Sequence, residues 1–148
     1  MNFETRGVSL SELDDVLNLI DQFDRVKAPR PTVDQVTTIY SNLVRSGGCV
    51  VGRFYNGKVI GTCTVNLCSN FSWSGRPFAI IENVIVDSGF RRQGIGTNIL
   101  EFAIQYAEAK GCYKVALMTG SKRPETLEFY ESVGLSATKT GFQKRFDS

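Results

Sequence analysis

The spacing of apolar residues predicts three amphipathic helices. In three stretches of the chain, apolar residues return every three or four positions, which places them on one face of an α-helix. Ser9 with Glu12, and Thr32 with Gln35, have the spacing of capping boxes, which satisfy free backbone amides at a helix start. The three apolar stripes are Leu10, Leu13, Val16, Leu17 and Ile20; Val36, Ile39, Tyr40 and Leu43; and Ile95, Ile99, Phe102, Ala103, Tyr106 and Ala107.

Between the second and third stripes the pattern is that of β-strands. Asn56-Gly57 lies between two runs rich in β-branched residues within positions 49–68, and this dipeptide is a strong signal for a β-hairpin. Residues 78–87, FAIIENVIVD, form a nearly continuous apolar run. Such a run indicates a strand that is covered on both faces.

The last third of the chain continues the alternation. The segment YKVALMT at 113–119 predicts a strand, and Pro124 and Gly134 bracket a short helix, as proline favours helix starts and glycine favours helix ends. The segments ATKT and FQKRF, on either side of Gly141, are interpreted as two closing strands. The predicted order is β-α-α-β-β-β-α-β-α-β-β, a mixed α/β fold of about seven strands and about four helices in one domain over residues 1–148.

Composition and charge narrow the function classes. A chain of 148 residues that is 42% hydrophobic can bury a substantial core. The formal net charge of +2 gives no general signature of a protein that binds nucleic acid. The sequence shows neither a secretory leader at its N-terminus nor an apolar stretch as long as a membrane span, so we expect a cytoplasmic protein.

The absence of histidine limits the possible chemistry. Without histidine, Ser-His-Asp and Cys-His nucleophile systems and histidine-ligated metal sites are excluded. The four cysteines form no CxxC pair, so we expect buried thiols and no metal. Acid-base chemistry must then come from carboxylates, tyrosine, lysine or water.

Two glycines stand where the third helix should begin. Gly94 and Gly96, in RRQGIG, follow the apolar strand, although glycine inside a helix costs roughly 1 kcal/mol relative to alanine. A strand, a short loop and a helix start together make an anion site, because the first helical amides lack acceptors and lie at the positive end of the helix dipole. The spacing fits neither a Walker loop nor a dinucleotide fingerprint. A phosphate-bearing ligand and a purely structural turn both remain open on spacing alone.

The segment VIVDSGFRRQGIG resembles the acetyl-CoA-binding motif of the GNAT family of N-acetyltransferases, and the resemblance extends over almost the whole chain. It implies that backbone amides of the loop and first helical turn hold the pyrophosphate of acetyl-CoA. It also implies that the backbone of Val84, Ile85 and Val86 pairs with the pantetheine arm where two strands separate. Arg123 and Thr126, near the start of the last helix, stand where many members have an asparagine, and we assign them to the cofactor. The implied pyrophosphate residues are Arg91, Arg92, Gln93, Gly94, Ile95, Gly96 and Thr97.

The resemblance also implies two catalytic residues. Tyr130, in EFYESVG, is similar to a tyrosine that faces the cofactor sulfur; otherwise its ring would only pack the short helix. Glu82 lies in an apolar strand, where an unpaired charge is costly. Glucosamine-phosphate acetyltransferases have a similar Ile-Glu pair beside the acceptor, so Glu82 is a candidate base or amine-binding acid, with a structural ion pair as the alternative.

The acceptor is harder to predict. We expect it to be bound by the segment between the first two helices and by the loop SNFSWSGRP. Asp24, Trp73, Glu82 and Asn83 are the candidate acceptor-binding residues, and Asp21 could also hold a cation. Amino sugars, amino acids, polyamines and protein amines all remain open.

The expected function is transfer of an acetyl group from acetyl-CoA to a primary amine of a small molecule. Direct transfer in a ternary complex is favoured, because a nucleophilic cysteine needs an activating base and no histidine is present. A module that binds acyl-CoA without catalysis is the alternative. Nucleic-acid binding through Arg91, Arg92, Lys122 and Arg123 is disfavoured, since these residues suit cofactor phosphates equally well. The resemblance further implies a homodimer.

Overall fold

The computed structural model describes residues 2–23 and 28–147. Its elements divide into two compact units, Met1–Leu117 and Met118–Ser148. Among the described residues, the first unit contains five strands and three α-helices, and the second contains one α-helix. The strands are β1 Phe3–Gly7, β2 Cys49–Tyr55, β3 Lys58–Cys68, β4 Phe78–Val86 and β5 Val115–Ala116, and the helices are α1 Leu13–Ile20, α2 Val33–Arg45, α3 Ile95–Ala109 and α4 Pro124–Ser132.

The sheet of the first unit has the strand order β1-β2-β3-β4-β5. The first four strands pair antiparallel, whereas β5 pairs parallel to β4 after the crossover through α3. Asn56 and Gly57 form the predicted hairpin turn, with φ of 49° and 85°. Positive φ at both central residues is the requirement of the tight turn that asparagine and glycine favour.

Both predicted capping boxes are confirmed. At Ser9, the backbone amide donates to the Glu12 carboxylate over 3.0 Å, and a 3-10 turn over Leu10–Glu12 leads into α1. At the start of α2, Thr32 Oγ1 accepts from the amide of Gln35 over 3.2 Å, and Gln35 Oε1 accepts from the amide of Thr32 over 2.8 Å. The helices therefore begin where the side chains satisfy free amides.

Helices α1 and α3 cover opposite faces of the sheet. Val50 belongs to the apolar cluster that α1 enters through Leu13, Val16 and Leu19. Gly61 is the register partner of Arg53, three positions from Val50, and because successive strand residues point to opposite faces, Gly61 faces the other side of the sheet. On the α3 face, Gly61 gives the helix room, since a Cβ there would lie 2.6 Å from Ile99 Cδ1.

In the second unit, α4 has Pro124 in its first turn and Gly134 just beyond its end, as predicted. The two closing strands are wrong: residues 135–147 contain no strand. Phe142 and Phe146, which supplied the apolar pattern, are 92% and 88% exposed. A strand needs a neighbouring backbone to pair with as well as an apolar pattern, and the pattern alone does not provide one.

The strand predicted at 113–119 is also shorter than expected, because only Val115 and Ala116 pair with β4. Over the residues that the structure describes, the sheet therefore has five strands where about seven were predicted, within the same mixed α/β class. The single domain over residues 1–148 stays a prediction.

Candidate functional site

The loop before α3 forms an open cradle of backbone amides. Gly94 is the N-cap of α3 with φ of 77°, and Arg92 is also left-handed with φ of 65°. The first hydrogen bond of the helix runs from the Asn98 amide to the Gly94 carbonyl over 3.1 Å. The amides at the first three helical positions, residues 95–97, precede it and have no carbonyl within the helix to bind.

The space above this cradle is open within the described structure. A Cβ built on Gly94 would find no heavy atom within 4 Å. Arg91, Arg92 and Gln93 are exposed, whereas Ile95 and Gly96 are buried against the protein. Free amides at the positive end of a 15-residue helix, with two exposed arginines beside them, are suited to a ligand phosphate.

Asp87 holds the loop between β4 and the cradle. Its carboxylate accepts from the Gly89 amide over 2.8 Å and from Gln22 Nε2 over 3.2 Å. The hydrogen bond from Gly89, followed by the one from Gln22, lowers the pKa of Asp87. Gln22 Oε1 in turn accepts from the Ser88 amide over 3.2 Å, so one side chain at the end of α1 fixes two groups of the loop.

Strand β4 has an open edge leading to the cradle. Its pairing with β5 covers only Ala79 and Ile80, whereas its pairing with β3 continues to Val86 opposite Gly61. Within the described residues, the segment 84–86 therefore has a strand on one side only. These are the residues whose backbone the family resemblance assigns to the pantetheine arm, and that assignment stays a prediction.

A β-bulge in β4 reorients the residues before that segment. Thr62 lies opposite Ile85 and Thr64 opposite Glu82, so two residues of β4, Asn83 and Val84, face one residue of β3. Asn83 has φ of 55°, and such bulges redirect side chains next to active sites. As a result Glu82 and Asn83 are both exposed and both line the same groove.

This bulge overturns one interpretation from the sequence. The run at 78–87 is not covered on both faces along its whole length, because it opens to the groove at Glu82 and Asn83. A strand acid there is therefore accessible to a ligand. The sequence identifies Glu82 correctly as an unusual residue but gives the wrong reason, since the side chain is not buried.

The groove lies between α1, α2 and the sheet and encloses about 480 Å³. Its walls are mostly apolar side chains of the two helices and of residues 28–31, and its floor includes Thr64, Asn66, Glu82 and Asn83. Asp21 and Arg30 also line the groove and form an ion pair. Arg30 donates from Nε and Nη2 to Asp21 Oδ2 over 2.9 and 2.6 Å. From the sequence, Glu82 and Asp21 are candidates for this site, but the sequence gives no signal for Arg30 or for its pairing with Asp21.

Two candidate acceptor residues are not found in this groove. The Trp73 ring is 66% exposed and stacks on Tyr113, with centroids 5.3 Å apart, and it is not among the described lining residues. Asp24 lies outside the described residues. Of the four residues predicted to bind the acceptor, the structure brings together Glu82 and Asn83.

The second unit contains three further predicted site residues. Arg123 is the N-cap of α4 and forms an ion pair with Glu125, Nη2 to Oε1 2.6 Å, with both side chains largely exposed. Thr126 Oγ1 accepts from Ser121 Oγ over 3.1 Å. Tyr130 is half-buried beside Phe129, with ring centroids 5.1 Å apart. Their roles toward a cofactor stay predictions.

Three of the four cysteines, Cys49, Cys63 and Cys112, have the properties of buried thiols rather than nucleophiles. Burial raises the pKa of Cys49 to about 11 and that of Cys63 to about 12. Burial also raises the pKa of Cys112. In the described part of the chain, no group of three or more cysteine, aspartate or glutamate side chains could hold a metal ion, and none of the helices there is long and apolar enough to cross a membrane.

Comparison with known proteins establishes the family. Residues 13–135 match the acetyltransferase (GNAT) family, and the chain belongs to that family. Glucosamine 6-phosphate N-acetyltransferase from Trypanosoma brucei brucei is 29% identical over 140 residues, which are 93% of this chain and 91% of that protein. The protein of the same name from Arabidopsis thaliana is 33% identical over 99 residues, 67% of this chain and 64% of that protein.

The fold comparison agrees. The crystal structure of glucosamine-6-phosphate N-acetyltransferase from Arabidopsis thaliana superimposes with a TM-score of 0.86 at 25% identity, covering 99% of this chain and 100% of that chain. The GNAT fold and the family resemblance predicted from the sequence are confirmed. The protein is an acetyl-CoA-dependent acetyltransferase.

Proposed function

We propose that this acetyltransferase moves the acetyl group of acetyl-CoA to a primary amine of a small molecule, by direct transfer in a ternary complex. The observation that carries the proposal is the continuity of the site along β4. The groove with Glu82 and Asn83 lies at the bulge, the open strand edge 84–86 follows it, and the amide cradle at Gly94 comes next.

Each part of acetyl-CoA has a matching part of this path. The pyrophosphate would be held by the amides and side chains of residues 91–97, and the pantetheine arm by the backbone of residues 84–86. A cofactor bound in this way directs its thioester toward Glu82 and the groove. Arg123 and Thr126 are proposed as further cofactor contacts because of their positions in the family motif.

The chemistry needs one proton acceptor and one proton donor. An alkylammonium has a pKa of about 10 and must lose a proton before its nitrogen can attack the thioester carbonyl. Glu82, exposed in the groove, is proposed to take that proton directly or through water. As the N–C bond forms and the C–S bond breaks, Tyr130 is proposed to protonate the departing thiolate. The nitrogen loses its second proton, which returns to the Tyr130 oxygen through water, and the proton held by Glu82 passes to solvent.

The names of the relatives suggest one acceptor class. The similar proteins from Trypanosoma brucei brucei and Arabidopsis thaliana are glucosamine 6-phosphate N-acetyltransferases, so an amino-sugar phosphate is a candidate acceptor for this chain. A homodimer remains part of the proposal through the family resemblance, and a cytoplasmic location remains part of it through the sequence pattern described above. The competing hypothesis is a module that binds acetyl-CoA without transferring its acetyl group.

Release of the CoA thiol in the presence of amines tests the proposal. We expect release to depend on an added primary amine and to fall in Glu82→Gln, most strongly at low pH, where the amine is mostly protonated. Glu101→Gln, an exposed carboxylate of α3, is the matched control and should keep the wild-type pH profile. Calorimetric binding of acetyl-CoA without amine-dependent release from any acceptor would identify a binding module instead.

A further inference from the structure

The wall of the groove consists mostly of apolar side chains, which binding of an amine group alone does not require. Resting on the proposed function, we infer that the natural acceptor is a primary amine carried on an apolar body, such as an arylalkylamine or alkylamine, rather than a sugar phosphate. Three features of the groove support this acceptor class: its apolar wall, its polar floor, and the ion pair that occupies Arg30, the one cation among the described lining residues.

The apolar wall is extensive. Leu13, Val16, Leu17 and Ile20 come from α1, and Val36 and Ile39 from α2, with further apolar residues beside them. Ile39 is 56% exposed although it faces this groove. A sugar presents hydroxyl groups around its ring, and these would lose their hydrogen bonds to water against such a wall.

The polar groups of the floor are concentrated at the bulge. Thr64 and Asn66 of β3 line the groove together with Glu82 and Asn83 of β4. Thr64 is the register partner of Glu82, so the carboxylate lies in a small polar patch at the end where the thioester is proposed to arrive. An ammonium group matches that end, and an apolar body matches the rest.

The cation at the rim is already paired. Arg30 binds Asp21 through Nε and Nη2, and Nη2 also donates to Asn18 Oδ1 over 2.6 Å. Among the described lining residues, Asp21 and Glu82 with Arg30 leave one net negative charge. To bind Arg30, a phosphate would have to displace Asp21, whereas an ammonium meets a complementary charge at the Glu82 carboxylate.

The experiment compares acceptors that share one reacting end. Phenethylamine and ethanolamine have the same aminoethyl group and differ in the body attached to it, and glucosamine 6-phosphate represents the sugar phosphates. We expect kcat/KM from CoA thiol release to be at least about tenfold higher for phenethylamine than for either of the others. Calorimetry with CoA bound measures acceptor affinity independently of turnover.

Two variants on α2 test whether the apolar wall causes the preference for phenethylamine. Ile39→Asn places an amide on the groove wall and should lower the ratio of kcat/KM for phenethylamine to that for ethanolamine several-fold. Val44→Asn is the control, because Val44 is 49% exposed on the same helix and is not among the described lining residues. It should leave the ratio unchanged.

The outcomes separate this inference from the proposed function. A tenfold preference for glucosamine 6-phosphate that disappears in Arg30→Gln would overturn the inference and leave the acetyltransferase proposal standing. Phenethylamine binding that is weakened by Ile39→Asn, without thiol release, would support the groove assignment and contradict the proposed transfer reaction. Absence of both binding and release for phenethylamine would overturn the inference.

Discussion

At the scale of single residues, Gly94 combines a backbone conformation and an open space that point to a ligand. We expect Gly94→Val to weaken acetyl-CoA binding by at least about tenfold, because the new side chain would occupy the space over the helix amides and would strain a residue with φ of 77°. The protein should still fold, since a Cβ there meets no heavy atom within 4 Å. Calorimetry with acetyl-CoA measures the change.

The control for this substitution lies at the other end of α3. Gly111 has φ of 83° and equally open space around a Cβ, so Gly111→Val carries a similar backbone strain away from the cradle. Gly111→Val should bind acetyl-CoA like the wild type. Equal affinities in the two folded variants would show that the open space over Gly94 holds no part of the cofactor.

A second residue-scale prediction concerns Tyr130. Tyr130→Phe keeps the ring beside Phe129 and removes only the hydroxyl that is proposed to protonate the thiolate. General acids typically contribute about 10² to 10⁴ in rate, so we expect kcat to fall at least about tenfold with acetyl-CoA affinity little changed. A thioester with a less basic leaving thiol should recover part of the loss.

Tyr55→Phe is the control for deleting a phenol hydroxyl, because Tyr55 lies on β2 with its ring against Phe3 and Phe90. It should keep the wild-type kcat. If Tyr130→Phe also turns over at the wild-type rate under conditions where chemistry limits kcat, the tyrosine has a packing role and solvent supplies the proton.

A third residue-scale prediction follows from the ion pair at the start of α1. Glu12 accepts from Arg6 Nη1 and Nη2 over 2.8 and 2.7 Å, and the Arg6 hydrogen bond is the main reason that the pKa of Glu12 falls from 4.5 to about 2. A carboxylate whose pKa is lower in the folded state stabilises the fold above its unfolded pKa. That contribution is lost as the pH falls from about 4.5 through about 2.

Glu12→Gln should therefore lower the free energy of unfolding by about 1 to 2 kcal/mol near neutral pH, allowing for partial exposure of the pair. The difference from the wild type should shrink as the pH is lowered toward 2, as measured by denaturant unfolding at several pH values. Glu4→Gln, which removes a more exposed partner of Arg6, should have a smaller effect. A difference that stays constant down to low pH would contradict the assignment.

The sequence gives a signal at residues whose type is unusual for their place, and the roles of these residues in the site stay predictions. Gly94 at a helix start and Glu82 in an apolar strand were both predicted to be site residues, and the structure places one in an open cradle and the other in the groove. The sequence gives no signal for Gln22, or for the pairing of Arg30 with Asp21, although Asp21 was named as a possible cation ligand. Gln22 contacts Asp87 across 65 positions of sequence, and polar residues in a connecting segment give no signal of such partners.

At the scale of elements, the site depends on how α1 is tied to the loop that follows β4. Gln22→Ala removes the hydrogen bonds to Asp87 and to the Ser88 amide, each 3.2 Å long. Hydrogen bonds of this kind contribute about 0.5 to 1.5 kcal/mol each. We expect acetyl-CoA affinity to fall about three- to tenfold, because the loop before the cradle loses part of its support.

Gln105→Ala, an exposed glutamine on α3, is the matched control and should bind acetyl-CoA normally. Calorimetric dissociation constants and thermal midpoints of both variants separate loss of binding from loss of stability. An unchanged dissociation constant in Gln22→Ala would mean that Asp87 and Gly89 hold the loop without help from α1.

Elements were predictable where their signals are local. Capping boxes and the Asn56-Gly57 turn satisfy backbone groups within a few residues, so their sequence patterns correspond directly to structure. The closing strands failed because pairing depends on a distant backbone. The bulge at Asn83 was missed for a similar reason, since it is defined by the register against β3 and not by the residues of β4 alone.

At the scale of the whole molecule, the fold class and the family followed from the order of elements and one loop motif, but the shape of the acceptor groove did not. The groove is formed by side chains from α1, α2, β3 and β4, which are separated by up to about 70 residues of sequence. The proposed acceptor site is therefore a property of the assembled first unit. The kinetic mechanism, through a ternary complex or in two steps, is another property at this scale.

Direct transfer predicts intersecting initial-velocity lines when acetyl-CoA and amine are varied together. A covalent route through cysteine needs a thiolate. Burial raises the pKa of Cys49 to about 11 and of Cys63 to about 12, so these thiols are almost entirely protonated near neutral pH.

Mass spectrometry after incubation with acetyl-CoA alone should show no acetylated cysteine. Cys68→Ala, at the half-buried end of β3, should keep kcat within about twofold of the wild type. Parallel initial-velocity lines, together with an acetyl-cysteine that transfers its acetyl group to an added amine, would replace the ternary complex with a two-step mechanism. If Cys68→Ala then lost both the acetyl-cysteine and the transfer to amine, Cys68 would be the nucleophile.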